Sequence, residues 1–223
     1  MDARLWKILT ESFMKILIPG IKVTLPLTVL SFALALVISV VVAIIQYADI
    51  KVAKQFVRFY IWIIRGTPLL VQLYIFFFGL PSLGIKMDAF PCAILVFGIN
   101  EGAYMAESMR AALESVPKGQ LEAGYCVGMN YVQIMQRIVL PQAMRTAFPS
   151  LSNSFISLLK GTSLAATITV ADLFRAAQII NGRVYQPLAL YCEAALIYLI
   201  FCTSLTWLQG IIERKLNSYG GVR

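Results

Sequence analysis

The 223-residue chain contains no histidine, which removes the commonest general base and the commonest metal ligand. Charge is also scarce: Asp, Glu, Lys and Arg make up 13% of the residues, about half of what soluble domains carry. Four cysteines, Cys92, Cys126, Cys192 and Cys202, stand alone with no CxxC spacing. That pattern argues against a disulfide framework or a thiolate metal site and suits small buried hydrophobes. The chain also lacks a GxxxxGK[ST] phosphate loop and any Ser, Lys or paired-Asp catalytic motif. Hydrolysis, metal catalysis and work as an ATP-driven motor all lose their usual residues, so neither an enzyme nor a metal protein is expected.

Apolar residues, in contrast, make up 59% of the chain, and the mean hydropathy is +0.78. These values identify an all-α integral membrane protein. A spanning helix needs about 20 mostly apolar residues, because the hydrocarbon core is about 30 Å thick and a helix rises about 1.5 Å per residue. The length accommodates about five spans in a single transmembrane domain over residues 1–223. The formal charge of +8 comes from Lys and Arg scattered at the ends of apolar runs, so it reports membrane topology rather than nucleic-acid binding.

Over residues 1–17, Leu5, Ile8, Leu9, Phe13, Ile16 and Leu17 share one helical face, and Arg4, Lys7, Glu11 and Lys15 share the other. This predicts a helix lying in the bilayer interface; the interspersed charges do not fit a signal peptide. Residues 21–46 form the clearest span, with Pro26 placed near its start. A second span ends near Leu80 and is interrupted by "RGTPLL" at 65–70; "PSLGIK" at 81–86 forms a turn. Further spans are predicted over about 88–110, 148–170 and 187–211. With the N-terminus outside and the C-terminus inside, eleven basic residues are cytoplasmic (Lys51, Lys54, Arg58, Arg65, Arg110, Lys118, Arg137, Arg145, Arg214, Lys215 and Arg223) and seven lie outside.

The segment 115–141, "SVPKGQLEAGYCVGMNYVQIMQRIVLP", is too polar to span and patterned enough to fold. Ser115 is a plausible N-cap before Pro117, and Gly128 suits a helix stop because it reaches positive φ cheaply. Asn130 and Gln133 have capping-box spacing for a second helix, predicted to end at Pro141. Leu121, Tyr125, Val132, Met135 and Val139 are expected to face the membrane domain, with Glu122, Cys126, Gln133 and Arg137 opposite. Small residues at Ala123, Gly124 and Gly128 let another surface approach the backbone. Physics alone leaves two readings for this loop: a connector resting on headgroups, or a docking element.

"EAG" at 122–124, Gly128 and "IVLP" at 138–141 resemble the EAA signature of the membrane permeases of bacterial ABC importers. "RGTPLLVQL" (65–73), "AYMAESMR" (103–110), "VPKGQLEAG" (116–124), "LPQAMRTAFPSLSN" (140–153) and "SLLKGTSLA" (157–165) resemble the polar amino acid branch of that family. Gly124 stands where the family usually has Ala, and Gly161 where it often has Asp. The resemblance implies that the first helix of the loop docks on a cytoplasmic ATPase, with Glu122, Ala123, Gly124 and Gly128 as coupling residues. It also implies two ATPase subunits, an extracytoplasmic substrate-binding protein and a second permease copy or sister subunit. ATP would be bound by the partner, and no cofactor is expected in this chain.

Ionisable groups inside spans are costly unless paired or facing a cavity. Asn100, Tyr104 and Glu107 share a helical face that can line a path for a zwitterion, with Glu101 beside them; alternatively Glu107 pairs with Arg110 or Lys160 to lock the bundle. Lys160, Thr162 and Ser163 flank Gly161, where a broken helix would shape a site near the midplane. The function expected is therefore a permease subunit of an ATP-driven importer of polar amino acids in a bacterial cell membrane. A transporter of amino acids driven by an ion gradient is the alternative.

Overall fold

The computed structural model describes residues 3–47 and 51–218. Arg223 therefore lies outside the described residues, as do the side chains of Arg4 and Lys51. The described residues are mostly helical, with no strand: α1 (Ala3–Pro19), α2 (Leu25–Tyr47), α3 (Lys51–Gly66), α4 (Leu69–Tyr74), α5 (Ala89–Glu114), α6 (Lys118–Cys126), α7 (Tyr131–Ile134), α8 (Leu140–Gly161), α9 (Leu173–Val184) and α10 (Pro187–Ser218). Among the described residues three helices are long and apolar enough to cross a membrane unaided, at Leu5–Tyr47, Ala89–Glu114 and Pro187–Leu216. Two bent pairs among the described residues also pass, each a broken span or a re-entrant loop, and counting each as one span gives up to five: Val52–Gly66 with Leu69–Leu83, at 103°, and Tyr131–Ile168 with Leu173–Val184, at 50°.

Proline explains why the helices run longer than expected. Each of the three π-helical turns, Gly20–Thr24, Ile75–Gly79 and Met135–Val139, ends two residues before a proline, at Pro26, Pro81 and Pro141. In each, the residue just before the proline donates its N–H five residues back, from Leu25 to Gly20, Leu80 to Ile75 and Leu140 to Met135. A proline cannot donate to the fourth residue back, and its ring clashes with that carbonyl. Widening the turn by one residue relieves the clash without breaking the helix. Pro141 therefore does not end the second helix of the loop at 115–141, which continues into α8, and Pro26 lies well inside a continuous 43-residue helix.

The N-terminal helix has the predicted face, but tertiary packing covers it. Ile16 is fully buried against Leu173, Ala177, Leu190 and Ile197, with Ile8, Phe13 and Leu17 beside it. The hydroxyl of Ser12 donates to the buried carboxylate of Glu193 at 2.5 Å. The helix thus packs on α9 and α10 and runs straight into the first span.

The seam between α2 and α5 is built from small residues. Ser31, Ala35, Ser39 and Ala43 recur every fourth residue on α2, and Gly98, Gly102 and Ala106 do so on α5; all are buried. A Cβ at Gly98 would lie 2.6 Å from Leu34 Cδ2, and one at Gly102 would lie 2.9 Å from Ile38 Cγ2. In lipid, where apolar side chains gain little from leaving the solvent, close backbone approach of this kind supplies the packing energy. Met105, Met109, Leu113, Ile134, Val139 and Ala143 form the core beside this seam, tying α5 to α7 and α8. Of the four cysteines only Cys92 is buried; Cys126 and Cys192 are exposed.

Candidate functional site

The corner at 115–130 follows from three local devices. Pro117, not Ser115, precedes α6 as its N-cap, while the Ser115 hydroxyl bonds back to Ala112 O at 2.7 Å and closes α5. After α6 the chain reverses through Gly128 at φ +79°, with Gly128 N–H on Tyr125 O (2.9 Å) and Met129 N–H on Gly124 O (3.1 Å). This is the left-handed stop that glycine makes cheaply. The next helix opens with a complete capping box: Asn130 Oδ1 accepts from Gln133 N–H, and Gln133 Oε1 accepts from Asn130 N–H, both at 2.9 Å.

The faces of the corner depart from the predicted pattern. Met135 and Val139 are buried and Leu121 half-buried, as expected, but Tyr125 and Val132 are exposed and Ile134 is fully buried instead. The close approach at Gly124 is internal: a Cβ there would meet Ile134 Cγ1 at 2.7 Å. Its lack of a side chain lets α6 fold onto the following helix rather than admitting another protein. What the corner presents outward is Glu122, Ala123, Tyr125, Cys126 and Val127, with Val127 75% exposed. This apolar ridge with one carboxylate projects from a rigid two-helix base.

The polar residues within the spans form separate groups rather than one lined channel. Asn100 is buried, and its amide donates to Gln72 Oε1 at 2.9 Å. Gln72 Nε2 in turn donates to Ile64 O (2.9 Å), Thr67 O (3.2 Å) and Thr67 Oγ1 (2.7 Å). This network braces the 103° bend at Thr67 and Pro68, so Asn100 does not share an open face with Tyr104 and Glu107. Tyr60 reinforces the brace by donating to Ile99 O at 2.6 Å. Tyr104 is exposed, with the Arg65 guanidinium 5.3 Å from its ring centre. Glu107 pairs with Arg110 at 3.3 Å, and Arg110 also binds Glu114 at 2.6 Å. All three lie on α5, so the pairing does not lock two helices together.

Glu101 is half-buried and faces Ser154 on α8, next to a Ser150 to Ser108 hydrogen bond of 2.9 Å. Gly161 does not break the helix; α8 tightens into a 3₁₀ segment, Thr162–Ile168, that ends at Thr169 with φ 69°. Thr162 is fully buried with its hydroxyl on Leu159 O (2.7 Å), whereas Lys160 and Ser163 line a cavity of about 540 Å³ with Phe174, Tyr191 and Tyr198. Gln72 escaped the sequence reading. A lone amide inside the apolar run 69–80 is the signal that marks Gln72, since such groups in lipid must find partners. Among the described residues no group of His, Cys, Asp or Glu is placed to hold a metal.

The family described as binding-protein-dependent transport system inner membrane component matches residues 35–218. TcyB, an L-cystine transport system permease protein of Bacillus subtilis, is 46% identical over 96% of this chain and 92% of its own length. GlnP, a putative glutamine transport system permease protein of Rickettsia typhi, is 37% identical over 94% and 98%. A crystal structure of an amino acid ABC transporter with histidines superposes with a TM-score of 0.84 at 33% identity, covering 96% of this chain and 100% of the matched one. The inward-facing methionine ABC transporter MetNI shares the fold, with a TM-score of 0.74 at 20% identity over 97% and 99%. With an all-helical architecture of apolar spans and a projecting helical corner, these likenesses place the chain in the family of binding-protein-dependent transport system inner membrane components, the permease subunits of ABC transporters.

Proposed function

We propose that this single-domain permease forms one half of a pore for a polar amino acid, with a second copy or a sister subunit as the other half. Two ATPase subunits on the cytoplasmic side drive it, and an extracytoplasmic binding protein delivers the solute. The observation that carries the proposal is the corner at 117–130: a capping box, a left-handed glycine and a glycine-tight helix contact hold an apolar ridge rigid and exposed. A ridge of this kind transmits displacement only if something seats on it, and Glu122, Ala123 and the turn at Gly128 are the contacts assigned to the ATPase. ATP is assigned to that partner and no cofactor to this chain. The gradient-driven alternative is set aside, because the relatives are ABC permeases.

The excess of cytoplasmic basic residues supports an orientation in the bacterial inner membrane with the N-terminus outside and the C-terminus inside. Glu101 with Ser154, Tyr104 with Arg65, and the Lys160–Ser163 cavity supply the polar contacts for a zwitterion along the path. Of the other candidates, Asn100 is engaged by Gln72, Glu107 by Arg110 and Thr162 by Leu159 O.

Co-purification from detergent with the cognate ATPase tests the reading. Glu122→Lys alters only an exposed side chain and should release the ATPase and abolish uptake while leaving the permease monodisperse. Gly128→Trp should do the same by straining the turn. ATPase retention equal to wild type in both variants overturns the docking assignment.

A further inference from the structure

The buried carboxylate of Glu193 has no role in the importer reading. It lies in the second turn of α10, 8% exposed, and accepts a hydrogen bond from Ser12 on α1 at 2.5 Å. A carboxylate has about four lone-pair sites, and a hydroxyl is a neutral partner, so the ionised group is left without a counter-charge. Among the described residues no Lys or Arg lies in ion-pair range of it: Lys7 turns to Glu11 at 4.0 Å, and Lys15 and Arg183 line a separate cavity of about 140 Å³ on the α9 side of α1. Such a group within a span is costly unless a partner from outside the chain meets it.

The same carboxylate opens onto a groove of about 640 Å³ between α1 and α10. Trp6, Leu9 and Phe13 form one wall and Leu188, Ala189 and Leu196 the other; Trp6, Leu188 and Leu196 are exposed. The 32 residues of α10 make about 48 Å of helix, about 18 Å more than the hydrocarbon core. With that excess shared between its ends, Glu193, about 9 Å from the start of the helix, sits at the edge of the hydrocarbon. Helical side chains lean towards the N-terminus of their helix, which carries this carboxylate to headgroup level. Trp6 fits the same depth, because tryptophan is enriched at the membrane interface.

Apolar walls suit an acyl chain, and a lone carboxylate at headgroup level suits a cation that can donate. We propose that the groove seats phosphatidylethanolamine, with its primary ammonium on Glu193 and a chain along Leu9, Phe13 and Leu196. A primary ammonium has three donors, whereas the choline of phosphatidylcholine has none. The groove shares no lining residue with the Lys160–Ser163 cavity or with the corner at 117–130, so it stands independently of both assignments.

Trp6 supplies the test. In a Trp62→Phe, Trp207→Phe background it is the one left of the three tryptophans in the chain. The full-length permease, purified in detergent and stripped of lipid, is titrated with phosphatidylethanolamine or phosphatidylcholine carrying the same brominated chains, and quenching of Trp6 is read. Phosphatidylethanolamine should half-quench at a roughly tenfold lower concentration, the ~1.5 kcal/mol that a hydrogen bond to a charged group contributes at the low end. Glu193→Gln, which keeps an acceptor for Ser12, should remove the preference. Ser12→Ala, which loosens the contact of α1 with α10 but keeps the carboxylate, should retain it. A protein keeping only Trp207, about 21 Å further along α10, should show no preference. Equal quenching by the two lipids, no quenching by either, the same preference at Trp207, or a preference that persists in Glu193→Gln overturns the proposal.

Discussion

Substituting Gly98 by Ala tests whether the α2–α5 seam is held by close backbone approach. The new Cβ would lie 2.6 Å from Leu34 Cδ2, 2.8 Å from Cγ and 3.0 Å from Cβ. Carbon pairs rest at about 3.5–4.0 Å, so the nearest contact falls short by roughly 1 Å. Leu34 can rotate its terminal atoms away, but its Cβ is fixed to the α2 backbone, and relieving that contact requires the helices to part by about half an ångström. Overpacking of this sort costs about 1–3 kcal/mol, against which alanine recovers up to about 1 kcal/mol of helix propensity. With that recovery in full the net loss is about 0–2 kcal/mol, or up to roughly 8 °C in melting temperature for a chain of this size, so the coupling to Leu34 decides the case. Thermal unfolding of the detergent-solubilised complex measures it. The double variant Gly98→Ala, Leu34→Ala removes the two closest atoms and should show a coupling energy of about 1 kcal/mol or more. A Gly98→Ala melting temperature within about 1 °C of wild type, with no coupling to Leu34, would refute the argument that this seam is close-packed.

The buried amide pair predicts an asymmetry. Gln72→Leu strands the Asn100 amide and should cost about 1–3 kcal/mol, whereas Gln72→Leu with Asn100→Leu should recover the part due to the stranded Asn100 amide in the same melting assay, leaving only the loss of the Gln72 contacts to Ile64 O and Thr67. Removing the cap with Asn130→Ala should cost about 1 kcal/mol and weaken ATPase co-purification, while Asn130→Asp, which keeps the accepting oxygen, should retain both. Pro141→Ala frees the chain to close the π turn into an α turn, which would rotate α7 and the corner by about 100° relative to α8. That rotation would pull the buried Ile134 and Met135 out of the core, so the variant should melt below wild type and transport should fall; a wild-type melting temperature with full transport would show that the register at Met135–Val139 does not matter.

Much of the corner is legible in the sequence, because its determinants act within a few residues. Asn130 and Gln133 cap each other's backbone groups, and Gly128 is the residue that adopts φ +79° without penalty, so the turn can be located without knowing what surrounds it. The polar candidates within the spans are less legible. A side-chain amide at position 100 looks the same in sequence whether it faces a pathway or a neighbouring glutamine, and its fate depends on Gln72, 28 residues away, meeting it across two helices. Gly124 is similar: its small size is visible, but whether it admits a partner or its own chain depends on Ile134.

The amino-acid sequence alone determined that this protein resides in lipid, that it spans with about five apolar segments, and that a capped corner interrupts them. Hydropathy, helical period and backbone hydrogen bonding are properties of short stretches and need no fold to be read. Tertiary structure decided which faces are covered. It buried the N-terminal helix against α9 and α10, engaged the Asn100 amide in the bend of the second span, and turned Gly124 inward. It also carried the helices through Pro26 and Pro141 by widening a turn before each. A proline guarantees only that one hydrogen bond is missing; whether the helix stops or adapts depends on whether the segments on both sides have packing that keeps them aligned.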